Sequence, residues 1–400
     1  MKVGLFIDTF FPMIDGVIKV VDNYARHLST MCDVVVFAPH LDGEDDSNLP
    51  YEVIRCHSVP IKQLDYSLPT PMLDPKFLND LLLSKLDIVH IHSPFSIGLA
   101  GVNYAKFHKV PIIATLHSQL AQDANRNLKL KVFEEAFMFM VMNVYNQCDE
   151  CWAVNDSIKH LYEIDYGLES YCKVRYNATE HQPVVDRKSA CEEINKRYQL
   201  LPDEDVYLFV GRIDFIKNID FLVRSLKILK NKYHRKFKMM FVGQGRHESD
   251  LKELVHSLDL DSEVILCGAV KDLSLLEKIY CRAKLFLFPS LYDANSLVQI
   301  EAATQSTPTL FLRGAKTAST ATENVNAFFS ENSEDDYAAK IDDILSNPEL
   351  LKTVSKGAFR DLSTNWADTI KEAYDDYVRK CEIKEKKRRL INLQKLPFKQ

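Results

Sequence analysis

Short apolar runs alternate with helix-period patterns along nearly the whole of this chain, and that alternation leaves few folds open. Residues 3–7 form an apolar run. Val17, Val20, Val21, Tyr24, Ala25 and Leu28 then recur at helical spacing, and 34–38 is apolar again. Such runs lack the polar–apolar alternation of a half-exposed sheet, so they read as strands buried on both faces. Further strands are expected at 88–91, 112–116, 152–154 and 173–176, with helical stretches such as 156–166 between them. This order implies an α/β protein built on a parallel sheet covered by helices.

The pattern breaks at 179–189, a polar stretch without periodicity that reads as a linker. A second series follows, with strands expected at 206–210, 237–242, 264–267, 285–288 and 309–312, and helices at 335–346, 348–359 and 366–378 before a basic run at 384–389. Four hundred residues are too many for one ordinary core and suit two. The chain is therefore expected to hold two doubly wound Rossmann-like domains, 1–182 and 183–362, with 363–400 as a closing helix.

A net charge of −6 gives no general attraction to nucleic acid, which is not an expected partner. The start of the chain reads as a strand rather than a secretory signal, and the longest apolar run, 136–142, is far short of the roughly 20 residues that cross a bilayer. Nine scattered cysteines then read as reduced thiols in a cytoplasmic protein. Cys148 and Cys151 have CxxC spacing but no second ligand pair nearby, so a helix end running into a strand is the expected reading.

Two constellations carry chemistry, each at the carboxyl end of an expected strand, where open α/β sheets bind ligands. After 206–210 comes Gly211-Arg212-Ile213-Asp214-Phe215-Ile216-Lys217-Asn218, then a helix. A guanidinium that can fork onto phosphate oxygens, a lysine point charge and a helix start form an anion site. After 285–288 comes a loop with Asp293, then Ala294, Asn295, Ser296 and Leu297 at a helix start, and Glu301 within that helix. Free amides there can donate to a ligand and the carboxylates can accept sugar hydroxyl protons, although Asp293 could equally serve as the helix cap.

Taken together, Gly211-Arg212…Lys217-Asn218, Val242-Gly243-Gln244-Gly245 and the acid-x7-Glu of Asp293 to Glu301 resemble the C-terminal half of family 4 retaining glycosyltransferases, which have the GT-B fold. Asp8-Thr9-Phe10-Phe11-Pro12…Gly16-Val17, Val89-His90-Ile91-His92-Ser93-Pro94-Phe95 and Thr115-Leu116-His117 match the N-terminal half in order and spacing. The resemblance implies two domains facing across a cleft, the closing helix returning to the N-terminal one. It implies that Arg212 and Lys217 neutralise the donor diphosphate, Glu301 holds the ribose, and Asp293 and His117 contact the transferred sugar. Gly16, Gly243 and the 294–297 amides would line the donor. The implied reaction is metal-independent transfer of a hexosyl group, with retention, from a nucleotide sugar, UDP-linked by family habit, to a lipid or glycan hydroxyl. The departing diphosphate would be stabilised electrostatically, and no cofactor is expected. The Asp8 to Pro12 and His92 to Phe95 motifs look most like members that glucosylate diacylglycerol.

This sequence departs from the family pattern at Asp293, where glutamate is preferred, at Ala294 and Ser296, where glycines are preferred, and at Asp15, whose charge would repel a diphosphate unless it points away. A catalytically degenerate GT-B protein that binds a glycan or partner is the alternative those departures leave.

Other signals are weaker. His90 and His92 share one strand face, which suits core pairing or substrate hydrogen bonding better than a metal lacking a third ligand. Asp203-Glu204-Asp205 and Asp259-Leu260-Asp261 have DxD spacing but precede strands, and Glu248 breaks a dinucleotide fingerprint begun at Gly243 and Gly245. Asn155 and Asn177 begin sequons that need no glycan in an unsecreted protein. Arg126, Lys129 and Lys131 precede Val132, Phe133, Ala136, Phe137, Phe139, Met140 and Val141. Peripheral docking at the inner face of the plasma membrane is one reading, and a helix buried against the sheet is the favoured one.

Overall fold

The computed structural model describes residues 1–13, 15–61, 66–120 and 131–394, with the side chains of 61, 66, 131–133 and 390–394 left out. The chain divides into two compact units, Met1–Asn177 with Trp366–Gln400, and Ala178–Asn365.

The first unit carries the strands Lys2–Phe6 (β1), Asp33–Pro39 (β2), Glu52–Cys56 (β3), Ser58–Ile61 (β4), Tyr66–Pro69 (β5), Ile88–Ile91 (β6), Ile112–Leu116 (β7), Glu150–Ala153 (β8) and Cys172–Val174 (β9). Seven of them form one parallel sheet in the order β3-β2-β1-β6-β7-β8-β9, and β4 pairs β5 as an antiparallel hairpin. Every residue of β6, β7 and β8 is buried. That is why those runs are apolar or, at His90, Thr115 and Glu150, internally paired.

The second unit carries Val206–Val210 (β10), Lys238–Val242 (β11), Val264–Gly268 (β12), Leu285–Phe288 (β13), Thr309–Leu312 (β14) and Phe328–Ser330 (β15). They form a second parallel sheet in the order β12-β11-β10-β13-β14-β15. β10 is flanked by β11 and β13, so the strand order reverses beside it, and the loops after β10 and β13 leave the sheet at that switch point.

Three sequence expectations need correction. The domain boundary lies at 177/178 and 365/366 rather than 182/183 and 362/363, because the expected linker is packed on the second unit. Thr179 bridges to Asn365, the Gln182 amide donates to Glu277 Oε1 at 2.8 Å, and the Val184 amide donates to Gln305 Oε1 at 2.9 Å. The closing segment is one helix, Trp366–Gln394, that runs straight through the basic stretch. Burial of the 131–145 helix holds only for its second half. Val141, Met142, Val144 and Tyr145 are buried, whereas Phe139 is 78 % exposed and Met140 49 %. The apolar residues of this helix spread beyond the side that is buried. Arg126 and Lys129 lie outside the described residues.

The Trp366–Gln394 helix is bound to the first unit by a charged and aromatic seam. Asp376 meets Lys173, Arg175 and Arg379, and Lys380 Nζ lies 2.5 Å from Glu150 Oε2. Burial alone would raise the Glu150 carboxyl, but Lys380, Trp152 and Lys173 hold it below its usual range. The Tyr377 ring stacks on Trp152 at 5.5 Å.

Candidate active site

In the second unit the chain leaves β10 through Gly211, and Gly243 follows β11. A Cβ on Gly243 would sit 1.8 Å from the Gly211 carbonyl oxygen, and its φ of +144 is rarely adopted by other residues. Glycine here lets two strand-end loops lie backbone against backbone, as the Gly211 amide donates to the Val242 carbonyl at 3.0 Å. A Cβ on Gly245 would likewise meet the Ile213 backbone. Asp214 caps the short turn that follows, accepting from the Ile216 amide at 3.1 Å, and pairs with Arg246 and His247. Burial would raise its carboxyl, and these donors keep it low.

That frame presents the two cations differently. Arg212 is exposed and has no hydrogen-bond or ion-pair partner among the described residues. Lys217 is committed, with Nζ 2.5 Å from Asp293 Oδ1 and 5.4 Å from the centre of the Tyr292 ring. Asp293 Oδ2 takes the Ser290 hydroxyl at 2.5 Å. The carboxylate therefore joins the β13 loop to the β10 loop and is not a helix cap. The cap position of Leu297–Thr304 is Ser296, which makes no side-chain capping bond. That first turn therefore has amides without a side-chain cap, four residues beyond Asp293 in the chain. The Ser296 amide itself is engaged by Thr317 Oγ1 at 2.8 Å, and Asn295 Oδ1 accepts from Gln299 Nε2 at 3.0 Å. Ala294 is buried.

Glu301 is held by other partners than Asp293. It is buried, its Oε2 accepts the Tyr280 hydroxyl at 2.8 Å, and His181 Nε2 lies 3.7 Å from the same oxygen. Sequence reasoning missed both neighbours. Tyr280 reads as an ordinary core position of its helix, and His181 falls in the stretch taken for a linker.

In the first unit, Asp15 answers its own objection. Its side chain accepts from the Ile18 amide at 2.8 Å and caps the Gly16–Leu28 helix, so the carboxylate is turned onto that helix. A Cβ on Gly16 would meet nothing within 4 Å. Asp8 caps a different helix from outside, accepting from the Ile97 amide at 2.8 Å and the Gly98 amide at 3.3 Å, with the Ser93 and Ser96 hydroxyls completing its shell. Burial nevertheless pushes its carboxyl up.

His90, His92 and His117 form a buried row. His90 bonds Tyr377 Oη at 2.6 Å and Thr115 Oγ1 at 2.7 Å, and His92 Nδ1 meets His117 Nε2 at 3.0 Å. Burial, with smaller contributions from the neighbouring imidazoles and, at His90, from Arg175, pushes His90 and His92 well down, and burial brings His117 to about 3, so the row is neutral at pH 7. Core polar pairing is what the structure shows for His90. No cluster of three His, Cys, Asp or Glu side chains suited to a metal occurs among the described residues. Cys148 and Cys151 are free and buried, and both DxD sequences lie at the amino ends of β10 and β12, away from the loops above.

Comparison with known proteins agrees with this architecture in both halves. Residues 14–182 match the model described as Glycosyltransferase Family 4, and residues 191–361 the model described as Glycosyl transferases group 1. The alpha-monoglucosyldiacylglycerol synthase of Streptococcus pneumoniae is 23% identical over 94% of this chain and 86% of that protein. The enzyme of the same name from Acholeplasma laidlawii is 25% identical over 96% of each. HepE of Anabaena, solved in complex with UDP, superposes with a TM-score of 0.76 at 14% identity, covering 95% of this chain and 100% of that one. The fold is GT-B. The chain belongs to the family 4 glycosyltransferases, enzymes that take a nucleotide sugar and an acceptor as partners.

Proposed function

We propose that this enzyme transfers a hexosyl group from a UDP-sugar to the hydroxyl of a diacylglycerol-type lipid, with retention and without a metal. The observation that carries the reading is the loop pair after β10 and β13, where exposed Arg212 stands with Lys217, Asp293 and an uncapped helix start. In this reading Arg212 and Lys217 take the diphosphate, with the 294–297 backbone and Gly243 lining the donor. Asp293 contacts the sugar and Glu301 takes the ribose; the family resemblance gives His117 a part with the sugar and Gly16 a part with the diphosphate. The bond from the anomeric carbon to the diphosphate oxygen breaks, the acceptor oxygen bonds that carbon, and the acceptor proton leaves with the diphosphate. The held cation Lys217 and the exposed guanidinium of Arg212 stabilise the departing charge that a metal would otherwise meet.

The acceptor follows from the relatives' printed names, and retention from the α-product those names specify together with the α-linkage of common UDP-hexoses. Phe139, Met140 and Phe107, all exposed in the first unit, supply an apolar surface for contact with a bilayer that holds such a lipid. No helix among the described residues is long and apolar enough to cross a membrane.

The test is turnover of UDP-glucose, UDP-galactose, GDP-mannose and ADP-glucose with diacylglycerol vesicles, with and without chelator. Transfer from a UDP-hexose giving an α-linked product, undiminished by chelator, is expected. Loss in chelator that Mn²⁺ restores would overturn metal independence, and transfer only from a GDP- or ADP-sugar would overturn the donor.

A further inference from the structure

Glu301 has two carboxylate oxygens in unlike surroundings. Oε2 is engaged from within the unit by the Tyr280 hydroxyl at 2.8 Å, with His181 Nε2 3.7 Å away. Oε1 takes no donor from the described residues and is not among the buried atoms sealed away without a partner. A buried carboxylate with one oxygen tied and one open is aimed, because turning its plane away from this orientation would break the bond to Tyr280. Burial and the Glu301 charge push the Tyr280 phenol well up, so it stays protonated and always donates. The phenol is fixed in turn. Tyr280 is buried on Leu273–Arg282, the Thr307 hydroxyl donates to its carbonyl at 2.7 Å, and its ring meets His181 edge-on at 5.9 Å.

We infer that Tyr280 is a positioning residue for nucleotide recognition, holding Glu301 so that its open oxygen receives a ribose hydroxyl and the site tells ribonucleotides from deoxyribonucleotides. This rests on the proposed assignment of Glu301 to the ribose. A carboxylate that is free to turn must be ordered each time a hydroxyl binds, whereas one already tied accepts it at once. Tyr280 thus contributes only when the hydroxyl is present. A residue that merely supported the fold would weaken every nucleotide alike.

The experiment is calorimetric titration of full-length protein with UDP and with 3′-deoxy-UDP and 2′-deoxy-UDP, for wild type, Tyr280→Phe and Glu301→Gln. Wild type is expected to favour UDP over at least one deoxy form by roughly 10- to 100-fold, the worth of a hydrogen bond to a charged group. Tyr280→Phe is expected to lose most of that ratio by weakening UDP alone. A ratio unchanged in Tyr280→Phe but lost in Glu301→Gln overturns the role of Tyr280 and leaves Glu301 on the ribose. A ratio unchanged in Glu301→Gln overturns the ribose assignment itself. Should Tyr280→Phe fail to fold because its neighbour's charge is left unpaired, Tyr280→Phe/Glu301→Gln removes that charge too. The double variant should then match Glu301→Gln for all three nucleotides, and weaker UDP binding in the double than in Glu301→Gln would sink the inference.

Discussion

Replacing Lys217 by methionine separates what the Lys217–Asp293 pair does for the fold from what it does for the donor. Nζ and Oδ1 lie 2.5 Å apart with side chains only 13% and 15% exposed. At an effective dielectric of about 20 the gross attraction is about 7 kcal/mol, most of it offset by desolvation of the two groups. Removing one partner strands the other, and breaking a buried pair costs roughly 3–5 kcal/mol, of which these slightly exposed groups should show the lower end. Lys217→Met should therefore lose about 3 kcal/mol. For a unit of this size that is a fall of roughly 6–12 °C in the melting midpoint. The double variant Lys217→Met/Asp293→Asn carries no stranded charge and should recover about 2 kcal/mol of the loss.

Turnover should behave differently. Loss of one strong donor to a developing anion costs roughly 10²- to 10³-fold, and the double variant should stay as slow as the single one. Differential scanning calorimetry and initial-rate measurement with saturating donor read the two quantities on the same samples. If turnover returns together with stability in the double variant, Lys217 is a structural cation and the diphosphate assignment is wrong. If Lys217→Met melts within about 1 °C of wild type, the ion pair contributes nothing to the fold.

Arg212→Ala should leave stability unchanged, since Arg212 has no partner to strand among the described residues, and lower turnover by roughly 10²-fold or more, which steady-state kinetics would read. Gly243→Ala should destabilise by about 3 kcal/mol or more and reduce soluble yield, because the new methyl meets the Gly211 carbonyl at 1.8 Å. A wild-type melting curve would contradict the close approach. The three neutral histidines make stability depend on acid. Their folded values lie below the ordinary ~6.5 of an unfolded chain, so the unfolded state binds the extra protons. Their contribution is complete above about pH 6.5 and is lost as pH falls below it, at up to ~1.4 kcal/mol per pH unit for each histidine. Urea unfolding midpoints at pH 7.5, 6 and 5 would show the decline, and a flat profile would contradict a buried neutral row.

The parts of the fold legible in the sequence were those where one local rule decides. Strands β10, β13 and β14 were read to the residue because a continuous apolar run beside a turn has one reading in a parallel sheet. The sequence pattern does not show Glu52–Cys56, which mixes charged with apolar residues, or Phe328–Ser330, which is only three residues long, since neither makes a continuous apolar run. The same limit applies at the candidate site. Arg212, Lys217 and Asp293 stand out as charges at strand ends, and the structure brings Lys217 and Asp293 into contact. What holds Glu301, by contrast, comes from Tyr280 and His181, residues whose partners lie 21 and 120 positions away, a separation no local pattern encodes. Asp15 could be read as a liability until its partner, the amide three residues on, was located.

The course of the chain also bears on how the protein is made. Thr179 and Asn365 bridge, and the Thr179 amide donates to the Thr364 carbonyl at 3.0 Å, so the second unit begins and ends at one point. It emerges from the ribosome uninterrupted and can close on itself as soon as residue 365 is out. The first unit cannot finish then, although its sheet was translated earlier. His90, Trp152 and Glu150 wait for Tyr377 and Lys380, on the helix that follows the second unit in the chain. A nascent chain stopped short of residue 366 would thus carry a finished second unit and a first unit with buried aromatic and charged groups laid open. For that interval the N-terminal half is the part that depends on protection from aggregation.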